Sequence, residues 1–145
     1  MRPFKGRTGI IGKQITRSKK VDRYFSLARN MAYDSPYGKI RHGALLLKGG
    51  SVINASYNKE NYSSFGKRFM SPLRGHATVH AELGCILGLS RDVTSGADLY
   101  VCRINRSGEF RFSKPCSMCH EALKHVGVKR VYYTTNDNTI EMYKL

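Results

Sequence analysis

Long apolar runs are missing from this 145-residue sequence. A membrane helix needs roughly 18 to 20 consecutive apolar residues. The longest stretches here, such as Ala44-Leu45-Leu46-Leu47, are strand-sized. The basic N-terminus has no apolar segment behind it, so no secretory signal is expected. The protein is read as intracellular, in the cytoplasm or, through its basic arm, the nucleus. No G-x-x-x-x-G-K-S/T occurs, which excludes a P-loop. Cysteine is scarce, at four residues, and without secretion a disulfide framework is not expected. Acidic residues are scarcer than basic ones: 10 Asp and Glu against 25 Lys and Arg, a formal charge of +15. Such a surface attracts polyanions or phosphorylated ligands, with solubility alone as the plain alternative.

What is present suits one globular domain. Hydrophobic residues make up 41% and aromatics 10%, enough to build a core at this length. Residues 1–19 hold six basic side chains, three glycines and a proline, and read as a basic flexible arm ahead of a single domain over 20–145. Val21, Tyr24, Phe25, Ala28, Met31 and Ala32 recur at helical spacing, and Ser35-Pro36-Tyr37-Gly38 stops that helix. Gly43–Leu47 and Ser51–Tyr57, joined by Lys48-Gly49-Gly50, predict a hairpin. A polar loop over about 58–76 is long for a compact domain, which marks it as functional.

A helix is predicted from about Val79 to Leu89, then a strand over Leu99–Ile104. Pro115 opens another helix, which ends near Gly127. Val131–Thr135 forms a strand, and Asn136-Asp137-Asn138 turns it into a last strand near 139–144. A parallel return would need a dozen or more crossover residues, so these last two strands are predicted antiparallel. The order gives an α/β fold in three layers, with a mixed central sheet of about five strands and helices on both faces.

Two motifs carry the chemistry: His80-Ala81-Glu82 and Pro115-Cys116-Ser117-Met118-Cys119. Each stands at the start of a predicted helix. Cys116 and Cys119, three apart, share one helix face, where the positive helix end favours thiolates. Alone, the C-x-x-C reads as metal or redox chemistry. A structural zinc site would need a fourth protein ligand from His76, His120 or His125. With His80, two thiolates and a neutral imidazole balance Zn²⁺ and leave one tetrahedral position for water. His80 and Glu82 are two apart and cannot share a helix face, so they converge only if the metal lies off the helix N-terminus. Cys85 and Cys102 sit in apolar surroundings and read as core; His42, His120 and His125 read as surface or packing residues.

The H-x-E and P-C-x-x-C pair is the signature of zinc deaminases. The stretch from about Arg41 to Tyr133, two thirds of the chain, resembles the cytidine and deoxycytidylate deaminase superfamily. The resemblance implies a Zn²⁺ cofactor held by His80, Cys116 and Cys119. It implies hydrolytic conversion of cytosine to uracil through zinc-bound hydroxide, with Glu82 moving the protons and binding no metal. It implies a sugar contact at Asn58, with Asn54 the less favoured choice, and a base-edge contact from the Ala81 backbone. The chain departs from the deoxycytidylate type in lacking extra Cys and His for a second metal or nucleotide-effector site. From the free-cytidine type it departs in using His80 where that type has Cys.

The substrate stays open at this level. Lys67, Arg68 and Arg74 in the long loop, with Arg106, Phe110, Arg111 and Lys114 before the C-x-x-C, mix cations with aromatics as a nucleic-acid groove does. The plain alternative is that the aromatics pack the loops. The resemblance favours cytosine and this composition favours single-stranded nucleic acid, with a free cytidine nucleotide such as dCMP, or adenine, as alternatives. A catalytically inactive, zinc-stabilised nucleic-acid-binding protein is the reading from another class. No membrane partner is expected, and a homo-oligomer is compatible with the sequence.

Overall fold

The computed structural model describes residues 11–38, 40–59, 64–69 and 80–145. Helix α1 spans Lys19–Tyr33, and Ser18 caps it by accepting a hydrogen bond from the Val21 N–H at 3.1 Å. The apolar stripe expected from the spacing is buried: Val21, Tyr24, Phe25, Ala28 and Ala32. The hairpin is present as β2 (Arg41–Lys48) and β3 (Ser51–Tyr57). A short helix, α2 (Ser64–Lys67), lies inside the polar loop. Then come α3 (Ala81–Ile86), α4 (Arg91–Thr94), β4 (Asp98–Ile104), β5 (Phe110–Arg111), α5 (Ser117–His125), β6 (Arg130–Thr134) and β7 (Ile140–Lys144).

With β1 (Lys13–Ile15) these strands make one seven-stranded sheet in the order β1-β7-β6-β4-β2-β3, with β5 paired to β4. The sequence reading of about five strands falls short because β1 and β5 are only three and two residues long, too short to carry periodicity. β4 and β6 are parallel, and the other pairs are antiparallel, so the sheet is mixed. β6 and β7 pair antiparallel, with Tyr132 opposite Met142 and Thr134 opposite Ile140. Asn138, at φ 60°, makes the turn between them, so the predicted hairpin end holds.

The boundary of the arm moves. Lys13 and Ile15 pair with Met142 and Ile140, and Arg17 bonds Asp22 at 2.8 Å and the Asn138 carbonyl at 3.0 Å. From Lys13 onward the chain is therefore part of the domain; residues 1–10 lie outside the described residues. The helix predicted over 79–89 is shorter: it stops at Ile86, Gly88 takes φ 79°, and α4 starts afresh at Arg91. Pro115 also corrects: helix α5 starts two residues later, at Ser117, and Cys116 is its cap.

Helix α1 covers one face of the sheet, over β2, β4 and β3, and α3 packs on the other with α5 beside it. Each face has its own core, one around Phe25, Leu45 and Tyr100, the other around Leu46, Leu83, Val101 and Leu123. Cys85 and Cys102 are fully buried, as expected, and burial raises both thiols, Cys102 to about 12. Among the described residues, no helix is long and apolar enough to cross a membrane.

Candidate active site

Both motif histidine and motif cysteine turn out to be helix caps. His80 caps α3 and Cys116 caps α5, each with extended backbone angles. Their carbonyls accept the first intrahelical bonds, from Gly84 N–H at 3.0 Å and His120 N–H at 2.9 Å. The caps are the one place where residues two apart can serve a common point, because the first has not yet entered the helical spiral. That meets the requirement set by His80 and Glu82.

His80 Nδ1 lies 3.3 Å from Cys119 Sγ and 3.7 Å from Cys116 Sγ. All three ligand atoms fall within 4.8 Å of one another. Tetrahedral zinc with ordinary Zn–S and Zn–N bonds has S···N edges of about 3.6 Å. The donor set therefore fits zinc in both chemistry and spacing. Among the described residues, no fourth His, Cys, Asp or Glu joins the group. The Cys116 thiol is held down at about 3 by the hydrogen bond from the Cys119 thiol, against the effect of burial. Cys119, fully buried, is pushed up by the same bond. The pair thus shares one proton, which a metal would displace.

Glu82, on the first turn of α3, is 5% exposed, and burial raises its carboxyl to about 7. It opens with His80 and Cys116 onto one cavity of about 370 Å³, which Tyr37, Ile40, His42, Asn58, Lys59 and Lys114 complete. Asn58 follows β3 and reaches across to β2. Its Oδ1 accepts from the His42 N–H at 2.9 Å, and its Nδ2 donates to the Ile40 carbonyl at 3.0 Å. Asn54 instead bonds the Cys85 carbonyl at 3.1 Å, at the end of α3. Ala81 is fully buried at the first position of α3, where its N–H has no intrahelical acceptor.

Of the described residues singled out as nucleic-acid contacts, Lys114 lines this cavity, and Lys67, Arg68, Arg106, Phe110 and Arg111 do not. Arg68 stacks on Phe65 and Phe69, whose rings pack against the core beside His125, and Lys67 ends the same short helix. Phe110 packs on Phe25 on the α1 side, with Arg29 over its ring at 4.8 Å. The Arg106 carbonyl accepts from Arg41 at 3.4 Å in the β4–β5 turn. Arg111 stands on β5 opposite Arg103. Arg74 and His76 lie outside the described residues. His120 is buried with its Nδ1 3.4 Å from the Tyr143 hydroxyl, a packing role as expected.

Four cavity residues escaped the sequence reading: Tyr37, Ile40, His42 and Lys59. His42 was read as surface or packing, yet it lines the cavity, and burial, then Arg103, holds its imidazole down at about 4. Tyr37 and Lys59 gave no signal beyond lying at the edges of predicted elements. Lys114 was legible through its place just before the C-x-x-C.

The model of the cytidine and deoxycytidylate deaminase zinc-binding region matches residues 18–135. The chain belongs to this family. This deaminase is accordingly a zinc-dependent hydrolytic enzyme, and its fold has solved counterparts. It is 20% identical to the dCMP deaminase of cyanophage S-TIM5 in apo form, covering 83% of this chain and 86% of that one, with a TM-score of 0.58. The same phage enzyme in complex with dCMP and dUMP aligns with a TM-score of 0.54 at 20% identity, covering 84% and 85%. Cytidine deaminase from Mycobacterium leprae aligns at 19% identity and TM-score 0.51, covering 83% and 91%. No curated protein matches the chain in sequence.

Proposed function

We propose that this deaminase converts the cytosine base of a nucleotide to the uracil base, with Glu82 carrying the protons. The observation behind this is the placement of a buried carboxyl, raised to about 7, on the same cavity as His80 and Cys116. Zinc, when held by His80, Cys116 and Cys119, activates water as a nucleophile at neutral pH. Glu82 takes the proton of that water and delivers it to the base. The water oxygen bonds to the ring carbon bearing the amino group, Glu82 carries the second proton of that water to the amino nitrogen, the C–N bond breaks, and ammonia leaves a carbonyl behind. A carboxyl near 7 suits both halves of that exchange. Cys116 and Cys119 must stay reduced for this, which favours a reducing, intracellular compartment.

Asn58 is assigned to the substrate sugar. Its two backbone bonds fix the amide plane, and one amide hydrogen remains for a hydroxyl. The Ala81 N–H is assigned to the base edge. A free nucleotide is favoured over a polymer because the cavity is of single-base size while the polymer candidates are dispersed. The single-strand reading keeps one support: β6 returns directly to β7, with no helix between them to cover the site. The inactive-binder alternative leaves the buried Glu82 without a purpose.

The test is zinc-loaded protein incubated with cytidine, CMP, dCMP, single-stranded DNA and RNA, with ammonia and uracil measured. CMP or dCMP should be converted fastest. Conversion of adenine substrates alone, or of none, would reject the reading.

A further inference from the structure

His42 stands near the start of β2, beside Asn58. Its N–H donates to Asn58 Oδ1 at 2.9 Å, and its carbonyl accepts from the Asn58 N–H at 3.4 Å. Strand alternation puts its ring on the face of Ala44 and Leu46, the α3 side of the sheet. There it lines the catalytic cavity with Glu82, His80 and Cys116. His80 and Cys116 are close enough to act on the charge of the ring. His42 therefore stands between the residue assigned to the sugar and the metal donors.

The backbone of His42 is fully bonded, but its ring makes no hydrogen bond among the described residues. Burial, then Arg103 opposite it on β4, holds the ring neutral near pH 7. It thus carries one N–H donor and one lone pair. A shielded polar ring without a partner is destabilising unless something in the cavity completes it. The other polar side chains of the wall are already engaged. Lys59 and Lys114 lie over the rings of Tyr57 and Tyr143, at 4.9 and 5.6 Å. The Asn58 amide is bonded twice.

We infer that the His42 ring N–H donates to the 2-carbonyl oxygen of the substrate's cytosine base, which makes His42 a specificity-determining residue. This rests on the deaminase reading. The reacting carbon must reach the donor group of His80, Cys116 and Cys119, and the sugar must reach Asn58. The base therefore spans the stretch of cavity where His42 stands. Glu82 serves the ring nitrogen and the amino group of the base. The 2-carbonyl is the polar group left over, and with two lone pairs it takes both the Ala81 N–H and His42. Adenine carries a C–H at the matching position. It leaves both donors unpaired, and a site built to hydrogen-bond its substrate rejects such an analogue strongly.

The experiment uses zinc-loaded Glu82→Gln protein, which binds dCMP without consuming it, as the parent for His42→Phe, His42→Ala and His42→Gln. dCMP isotope-labelled at its 2-carbonyl carbon is titrated in, and binding is followed by calorimetry and by the NMR resonance of that carbon. His42→Phe keeps a flat ring and loses the N–H. It should weaken dCMP binding roughly 5- to 100-fold, the loss expected when a shielded carbonyl gives up a hydrogen bond. The carbonyl resonance should move on binding to the parent and move less in His42→Phe. His42→Ala should lose a similar amount and keeps the test open if His42→Phe does not fold. His42→Gln, which restores an N–H, should recover part of the loss. dAMP should bind the parent at least about 10-fold more weakly than dCMP and be indifferent to His42. The inference is overturned if the parent does not bind dCMP, or if His42→Phe and His42→Ala bind it like the parent. It is equally overturned if affinity falls while the carbonyl resonance is unmoved, or if dAMP loses as much as dCMP, since either result puts the contact on the sugar or phosphate. His42-dependent dCMP binding with no ammonia release from the wild type would sink the deaminase reading and keep the contact. Deamination of dCMP by His42→Phe at the wild-type kcat/KM would do the opposite.

Discussion

The side chain of Asn58 accepts a hydrogen bond from the backbone of His42 at 2.9 Å, and so behaves as one more residue of the strand beside it. A second bond, to the Ile40 carbonyl at 3.0 Å, completes the imitation. The start of β2 is held in this way against the cavity that Asn58 and His42 both line. Replacing the amide leaves a half-buried N–H and a carbonyl without partners. Asn58→Ala should cost about 1–3 kcal/mol. Chemical denaturation should show that loss, and activity should fall further than stability alone explains if Asn58 also holds the sugar.

Zinc content tests the donor set. Purified protein should carry one zinc per chain, and Cys119→Ser and His80→Ala should lose it. Chelation should lower the melting temperature of the wild type, because a metal that binds only the folded chain adds about 2.7 kcal/mol when it is 100-fold above its Kd. Elemental analysis and thermal scans check both. A Cys116–Cys119 disulfide in active protein would contradict the assignment.

Glu82 separates proton transfer from metal binding. Glu82→Gln should keep the zinc and the fold while lowering kcat roughly 100- to 10,000-fold, the range for loss of a general acid–base group. Loss of zinc as complete as in Cys119→Ser would show that the carboxylate holds metal instead.

Gly43 tests the layer on the far side of the sheet. A Cβ there would collide with the Ala28 carbonyl and the Ala32 nitrogen of α1, which crosses β2 at close range. Gly43→Ala should destabilise by about 1–3 kcal/mol or more, read as a lower denaturation midpoint. The zinc content of the folded fraction should be unchanged, because α1 and the metal ligands lie on opposite faces.

The sequence alone determined whatever depends on local spacing. The stripe from Val21 to Ala32 fixed α1, the Asn136-Asp137-Asn138 turn fixed the antiparallel β6 and β7, and His80, Glu82, Cys116 and Cys119 were legible from two short motifs. In each case the deciding interactions run within a few residues or belong to one bound ion. Tertiary structure alone decided the rest. β1 joined the sheet because β7 offered an edge, which no pattern in three residues can announce. His80 and Cys119, 39 residues apart, met because two helix starts pack on one face. Phe65, Phe69 and Phe110 went to core packing, since burial of rings outweighed their place beside cations in the sequence. His42 became a cavity residue only when the register of β2 and the Asn58 side chain set it there. Charge is written in the sequence, but whether a charge is paired, shielded or left facing a cavity depends on neighbours brought in by long-range strand pairing.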